Sequence, residues 1–166
     1  MNIKDLFLKQ TRHNLWANRR IVEWLGDKPA DEIRREIASS FAGILPTLAH
    51  LAQVQEFWFT VITAAQANAF VAPEDFETIC RNYLKVSENL VELVAEADEK
   101  SFGEQVIFHA PNVGEVRQKR ADLLTQCLTH NIYHRGQIVT LGRALGYADA
   151  PMTDYLFYLF TENFAG

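Results

Sequence analysis

Apolar residues recur at helical spacing along most of the chain, and strand-like alternation is confined to one short segment. Between Asp5 and Leu25, the residues Leu6, Leu8, Trp16, Ile21, Val22, Trp24 and Leu25 stand among charges. That is the pattern of an amphipathic helix, and Gly26 closes it. The polar, proline-bearing DKPADEIRREI follows as a connection. Ser39 and Ser40 then offer an N-cap to a second helix through FAGILPTLAHLAQVQEFWFTVITAAQ. Pro46 is tolerated there if it falls in the first turn and otherwise kinks the helix. Pro73 opens a third helix that runs to about Lys100 on Phe76, Ile79, Cys80, Tyr83, Leu90 and Val94.

From Phe102 to Lys119 the pattern changes. QVIFHAPNVGEV combines a β-prone run, a Pro-Asn turn signal and a glycine, which predicts a small hairpin or ordered loop. A fourth long helix spans about Gln118 to Leu145 and stops at Gly146; after YADAP, the aromatic MTDYLFYLFTENF forms a short final helix. Four long helices with brief connections predict an all-α four-helix bundle, a single domain over residues 1–166. At 100° per residue, Leu123, Cys127, His130, His134, Leu141 and Leu145 share one face of the fourth helix, while Leu128, Ile132 and Val139 lie nearly opposite. A helix apolar on two sides needs cover on two sides. The final helix or a second subunit can provide it, so a homodimer is expected.

Composition narrows the function classes. Lys and Arg total 16 against 21 Asp and Glu, a net charge of −5, which lacks the basic stripe of a nucleic-acid binder. The first twenty residues lack the apolar run of a secretory signal, and no segment is apolar enough to suggest a membrane span. Cys80 and Cys127 fall in helical patterns without framework spacing, as reduced thiols in a cytoplasmic protein would.

The candidate chemistry lies in HNIYHRGQ, residues 130–137. His130 and His134, four apart, put two rings on one helical face at a separation that can chelate one metal ion. Alone, such a pair is also compatible with ordinary core packing. His50, in TLAHLAQVQEFWF, has Val54 and Phe57 on its own side and is read as facing inward. Three buried imidazoles each need a polar partner, and one shared divalent cation satisfies all three while leaving a coordination position open. The motif lacks the glutamate of H-E-x-x-H, which excludes the zinc-protease base.

His50 in an early helix, HxxxHRGQ at His130 to Gln137, the following LGRALGY, and the flanking LWANRRIVEWL, SFAGILPTLAH and PMTDYLFYL together resemble the DinB family, the DinB/YfiT-like group of metalloenzymes. The resemblance touches nearly the whole chain, and HRGQ is its most specific part. It implies a four-helix bundle of unusual helix order, often dimeric, with nickel, zinc or a related divalent ion on His50, His130 and His134. Some relatives are S-transferases or isomerases that use a low-molecular-weight thiol, so the resemblance implies a thiol-dependent S-transferase acting on a small electrophilic substrate. A metal-dependent hydrolase and a non-enzymatic metal-binding protein are the alternatives, and no residue is assigned to catalysis.

Neighbouring residues carry two readings each. Gln137 and Gln53 can orient a ligand ring or make an ordinary helix–helix hydrogen bond. Arg135 can attract a substrate carboxylate or pair with an acid at a subunit contact. Gly136, costly inside a helix by about 1 kcal/mol, points to close approach by another helix. Cys127 and Tyr133 are read as packing residues, His13 and His109 as solvated or locally bonded. The aromatic runs Phe57 to Phe59 and Tyr155 to Phe160 are read as mainly core.

Overall fold

The computed structural model describes residues 2–64, 75–110 and 113–164. Its elements, in chain order, are α1 (Ile3–Gly26), α2 (Ala30–Ile33), α3 (Ile44–Thr63), α4 (Phe76–Glu96), a 3-10 turn (Glu99–Gly103), β1 (Gln105–Ala110), β2 (Gly114–Lys119), α5 (Arg120–Ala144) and α6 (Tyr155–Phe164). The four long helices and the hairpin predicted from the hydrophobic pattern are all present. α3 packs on α4 and α5, and α1 packs on α4 and α5. The order around the bundle is therefore α1, α4, α3, α5, with the first and second long helices diagonally opposed.

Local chemistry sets the boundaries. Asn2 caps α1 by accepting the Asp5 N–H at 2.8 Å, and Asp75 caps α4 by accepting that of Thr78 at 2.8 Å. The N-cap expected at Ser39 and Ser40 is not used. Those residues enter a turn in which the Ile37 N–H donates to Ala42 O, and α3 starts after Gly43. Gly43 has φ of +140°, and a Cβ there would meet the Arg35 carbonyl oxygen at 2.7 Å, so only glycine fits this entry. Pro46 is consequently the third residue of α3, where its missing N–H has no helical partner to lose. The connection after α1 contains the one-turn helix α2, and α4 stops at Glu96, short of Lys100, with Asp98 capping the 3-10 turn behind it. The proposed start at Pro73 and the Pro-Asn turn at residues 111–112 lie outside the described residues. β1 and β2 pair antiparallel from Gln105 opposite Lys119 to Ala110 opposite Gly114. Arg120 ties the hairpin down: its guanidinium donates to the carbonyls of Ser101 and Ile62.

The interior has three layers. One apolar cluster gathers Ile21, Leu25, Ile44, Leu48, Leu51 and Ile138 with Trp24 and Tyr83; the other gathers Phe7, Ile62, Leu90, Phe102, Leu124 and Cys127. Between them every long helix contributes buried polar groups: Asn14 and Asn18, Gln55, Ser87, Asn131 and Arg135. Asn18 Nδ2 donates to Ser87 Oγ at 3.0 Å and to Asn131 Oδ1 at 3.4 Å, and Gln55 Nε2 donates to the Tyr83 carbonyl at 2.9 Å. The Tyr83 hydroxyl donates to Asn131 at 2.7 Å. Burying so many polar atoms is tolerable only because they satisfy one another.

Three packing expectations are corrected. The tail is not mainly core: from Tyr155 to Phe160 only Tyr158 is buried, while Leu156, Phe157 and Phe160 are exposed, because the four long helices already fill the interior and α6 packs on the outside against α1. Phe57 is likewise exposed; the buried stripe of α3 runs through Leu48, Leu51, Gln55 and Ile62. His13 is buried rather than solvated. Its Nε2–H donates to the Thr153 carbonyl at 2.9 Å, and its ring meets Tyr155 and Tyr158, which pins the chain before α6 onto α1.

Candidate metal centre

The three histidines converge. His50 stands on the flank of α3 that faces α5, and His130 and His134 stand one turn apart on α5. Their ring centroids are 4.3 to 5.3 Å apart. One ligand nitrogen from each lies within 4.8 Å of the others, and the Nε2 atoms of His50 and His130 are 3.2 Å apart. Two nitrogens each about 2.0–2.1 Å from one tetrahedral zinc stand roughly 3.3 Å apart. The donor set therefore fits a divalent ion of borderline softness, and it comprises three protein ligands.

The electrostatics favour the ligand form. Burial, and after it the neighbouring His134 and His50 rings, pushes His130 down to about 4. Burial and then His134 also lower His50. Both rings are neutral near pH 7, with a lone pair to offer. His134 is oriented by its own helix. Its Nδ1–H donates to Gln137 Oε1 at 2.6 Å, which leaves Nε2 as the free lone pair, and Gln137 Nε2 donates in turn to the Tyr133 hydroxyl at 3.2 Å.

Two aromatic rings cover the cluster. Phe41 stacks on His50 at 4.0 Å between centroids and meets His134 edge-on, and Tyr133 meets His134 edge-on from the solvent side. Gln137 also borders a cleft of about 560 Å³ whose wall includes Ser39, Ser40, Thr47, Tyr133 and Thr140. The cleft carries hydroxyl side chains among apolar ones and adjoins the triad through Gln137.

The other singled-out residues are distributed differently. No hydrogen bond joins Gln53 to a histidine of the triad among the described residues; the buried glutamine of α3 is Gln55. Arg135 points away from the triad, toward α1, where Nη1 donates to Asn14 Oδ1 at 2.6 Å and Asn18 Oδ1 at 2.7 Å. Gly136 is not a close approach: nothing lies within 4 Å of a Cβ built there. The tight contact is at Gly142, whose Cβ would collide with Trp24 Cη2. Tyr133 is exposed rather than packed. Cys127 lies in the core, where burial pushes its thiol up to about 12, and His109 is exposed on β1.

Neither Phe41 nor the polar layer is among the residues that the motifs mark. Phe41 carries no signal, because a turn five residues ahead of Pro46 sets its position. The layer has one: Asn14, Asn18, Ile21 and Leu25 fall within about 60° on α1, so the two asparagines share the apolar face.

The sequence profile of the DinB family matches residues 1–164. Protein DinB of Bacillus subtilis (strain 168) is 28% identical over 168 residues, covering 95% of this chain and 96% of that protein. Among solved structures, a DinB-like protein from Bacillus cereus ATCC 10987 superposes with a TM-score of 0.70 at 19% identity, covering 88% of this chain and 94% of the other. A DinB-like protein from Bacillus subtilis gives 0.56 at 14% identity, covering 92% and 97%. The chain belongs to the DinB family, as its motifs lead one to expect.

Proposed function

We propose that this DinB-family chain binds one divalent ion, nickel or zinc, on His50, His130 and His134, and that it is a thiol-dependent S-transferase for a small electrophile. The observation that carries the reading is the convergence of three imidazole nitrogens from α3 and α5 within 4.8 Å. Bound there, the ion supplies Lewis acidity, which lowers the pKa of a low-molecular-weight thiol and favours its nucleophilic form. The chain's own groups do the rest. Gln137 holds the His134 ring in one tautomer, Phe41 and Tyr133 restrict water around the three rings, and the hydroxyl-lined cleft beside Gln137 receives the electrophile. The exposed Leu156, Phe157 and Phe160 support the expected homodimer, which light scattering would measure.

Metal analysis of protein purified without an affinity tag should find close to one divalent ion per chain, and none in a His50→Ala, His130→Ala, His134→Ala triple variant. Reconstituted protein should then conjugate a model electrophile with at least one of glutathione, bacillithiol or mycothiol, while the apo form does not. Full metal occupancy in the triple variant refutes the site. Turnover of an ester panel without any thiol would instead assign the site to hydrolysis. Metal binding without turnover in either panel would assign it to a non-enzymatic role.

A further inference from the structure

On the far edge of α5 from the triad, a second cavity of about 230 Å³ opens between α1 and α5, with Tyr155 of α6 at its side. Leu6, Phe7, Leu128, Ile132 and Tyr155 make its wall apolar, and its polar lining includes Gln10, Asn14 and Arg135. Arg135 is 3% exposed. A guanidinium stays protonated when buried, so it brings a full positive charge into the bundle. Among the described residues no carboxylate pairs with it. Its hydrogen-bond partners are neutral oxygens, Oδ1 of Asn14 and Oδ1 of Asn18. Two neutral acceptors do not exhaust five N–H donors.

A buried cation without a counter-ion is costly, and the cost falls when an anion reaches it. We infer that the cavity between α1 and α5 is a binding site for a small amphipathic monocarboxylate, its carboxylate on Arg135 and its apolar body against Leu6, Phe7, Leu128 and Ile132. The volume is below the roughly 300–1,000 Å³ of drug-sized pockets, which favours a compact single-chain acid. Ile132 is 55% exposed and Thr125 and Thr129 are exposed beside it, so the mouth opens to solvent along α5. The Thr125 and Thr129 hydroxyls donate to carbonyls of their own helix and do not compete for the carboxylate. This inference is independent of whether the triad holds a metal.

The test is calorimetric titration of the full chain with octanoate and with 1-octanol, and 4-phenylbutyrate as an arm that separates straight-chain from aromatic acids. Octanoate or phenylbutyrate should bind saturably, at least about tenfold more tightly than octanol, as a charge-assisted bond to a buried guanidinium requires. Thr129→Trp, at an exposed position on the cavity edge, should abolish binding by filling the space. Asn14→Asp places a carboxylate within reach of the same guanidinium and should weaken octanoate at least about tenfold without affecting octanol. His50→Ala should leave octanoate binding unchanged. No saturable binding, equal affinity for acid and alcohol, or unchanged binding in Thr129→Trp would each overturn the proposal. So would loss of octanoate in His50→Ala, which would place the ligand at the triad. If Asn14→Asp does not fold, the alcohol comparison and Thr129→Trp still decide.

Discussion

Replacing Gln137 with leucine should weaken divalent-metal binding ten- to hundredfold without unfolding the protein. The side chain is half-buried and its Oε1 accepts the Nδ1–H of His134 at 2.6 Å, which settles both the tautomer and the ring plane. Leucine fills similar space and keeps the helix, but leaves that N–H without its partner and the ring free to rotate. Loss of a partner that orients a ligating imidazole costs about 10–100-fold in metal affinity, or about 1.4–2.7 kcal/mol. Tyr133→Phe removes only the exposed far end of the chain, the hydroxyl that accepts from Gln137 Nε2, and should cost less than about threefold. Gln53→Leu, which has no bond to the triad, should change affinity by less than about twofold. Competition with a chromophoric chelator at neutral pH, on apo protein checked by circular dichroism, measures all three. Affinity in Gln137→Leu within twofold of the parent would refute the claim that this amide orients the ligand.

Other consequences are equally direct. Gly136→Ala meets nothing within 4 Å and should stabilise α5 by about 1 kcal/mol in urea unfolding, whereas Gly142→Ala drives a methyl into Trp24 and should destabilise by about 1–2 kcal/mol despite the same helix gain. Opposite signs at two glycines six residues apart are the outcome to check. Asn18→Ala strips Gln55, Ser87, Asn131 and the Arg135 guanidinium of a partner together and should cost roughly 2–4 kcal/mol by the same assay. His13 is held below its ordinary value of 6.5, first by burial and also by the Arg135 charge, against the opposing pull of Thr153 and Asp154. Protons therefore favour the unfolded chain: its contribution is fully present above about pH 6.5 and is lost as pH falls through the folded value. Urea midpoints measured from pH 7.5 to 5 should decline less steeply in His13→Gln than in the parent.

The helices were legible because their apolar residues recur at 3.6-residue spacing, and the triad because His130 and His134 share a face within a motif that also carries HRGQ. The start of α3 was not. Ser39 and Ser40 have the chemistry of a cap, but the left-handed residue Ala42 and the φ of +140° at Gly43 turn the chain so that the helix begins later. A tertiary contact, Gly43 against the Arg35 carbonyl, decides that boundary, and no local pattern encodes it. α6 misleads for a related reason: aromatic density signals burial only where interior space remains. Asn14 and Asn18 were hidden by being polar residues on a helix already rich in charge, although their register with Ile21 and Leu25 places them inside.

The register of α5 explains why adjacent residues serve different clefts. His134 and Arg135 are about 100° apart around the helix axis. With α3 on one flank and α1 on the other, that single step sends the imidazole toward His50 and the guanidinium toward Asn14 and Asn18. Asn131, between the two directions, bonds to both Tyr83 and Asn18 and so belongs to the layer that separates them. A carboxylate in place of either α1 asparagine would neutralise Arg135 at lower electrostatic cost. The neutral amides instead leave the Arg135 charge uncompensated, and that charge adds to burial in holding His13 below its ordinary value. An unneutralised interior cation beside a solvent-open apolar cavity is the arrangement that an incoming anion relieves, and this is the physical reason the cleft beside α1, and not only the triad, is assigned a ligand.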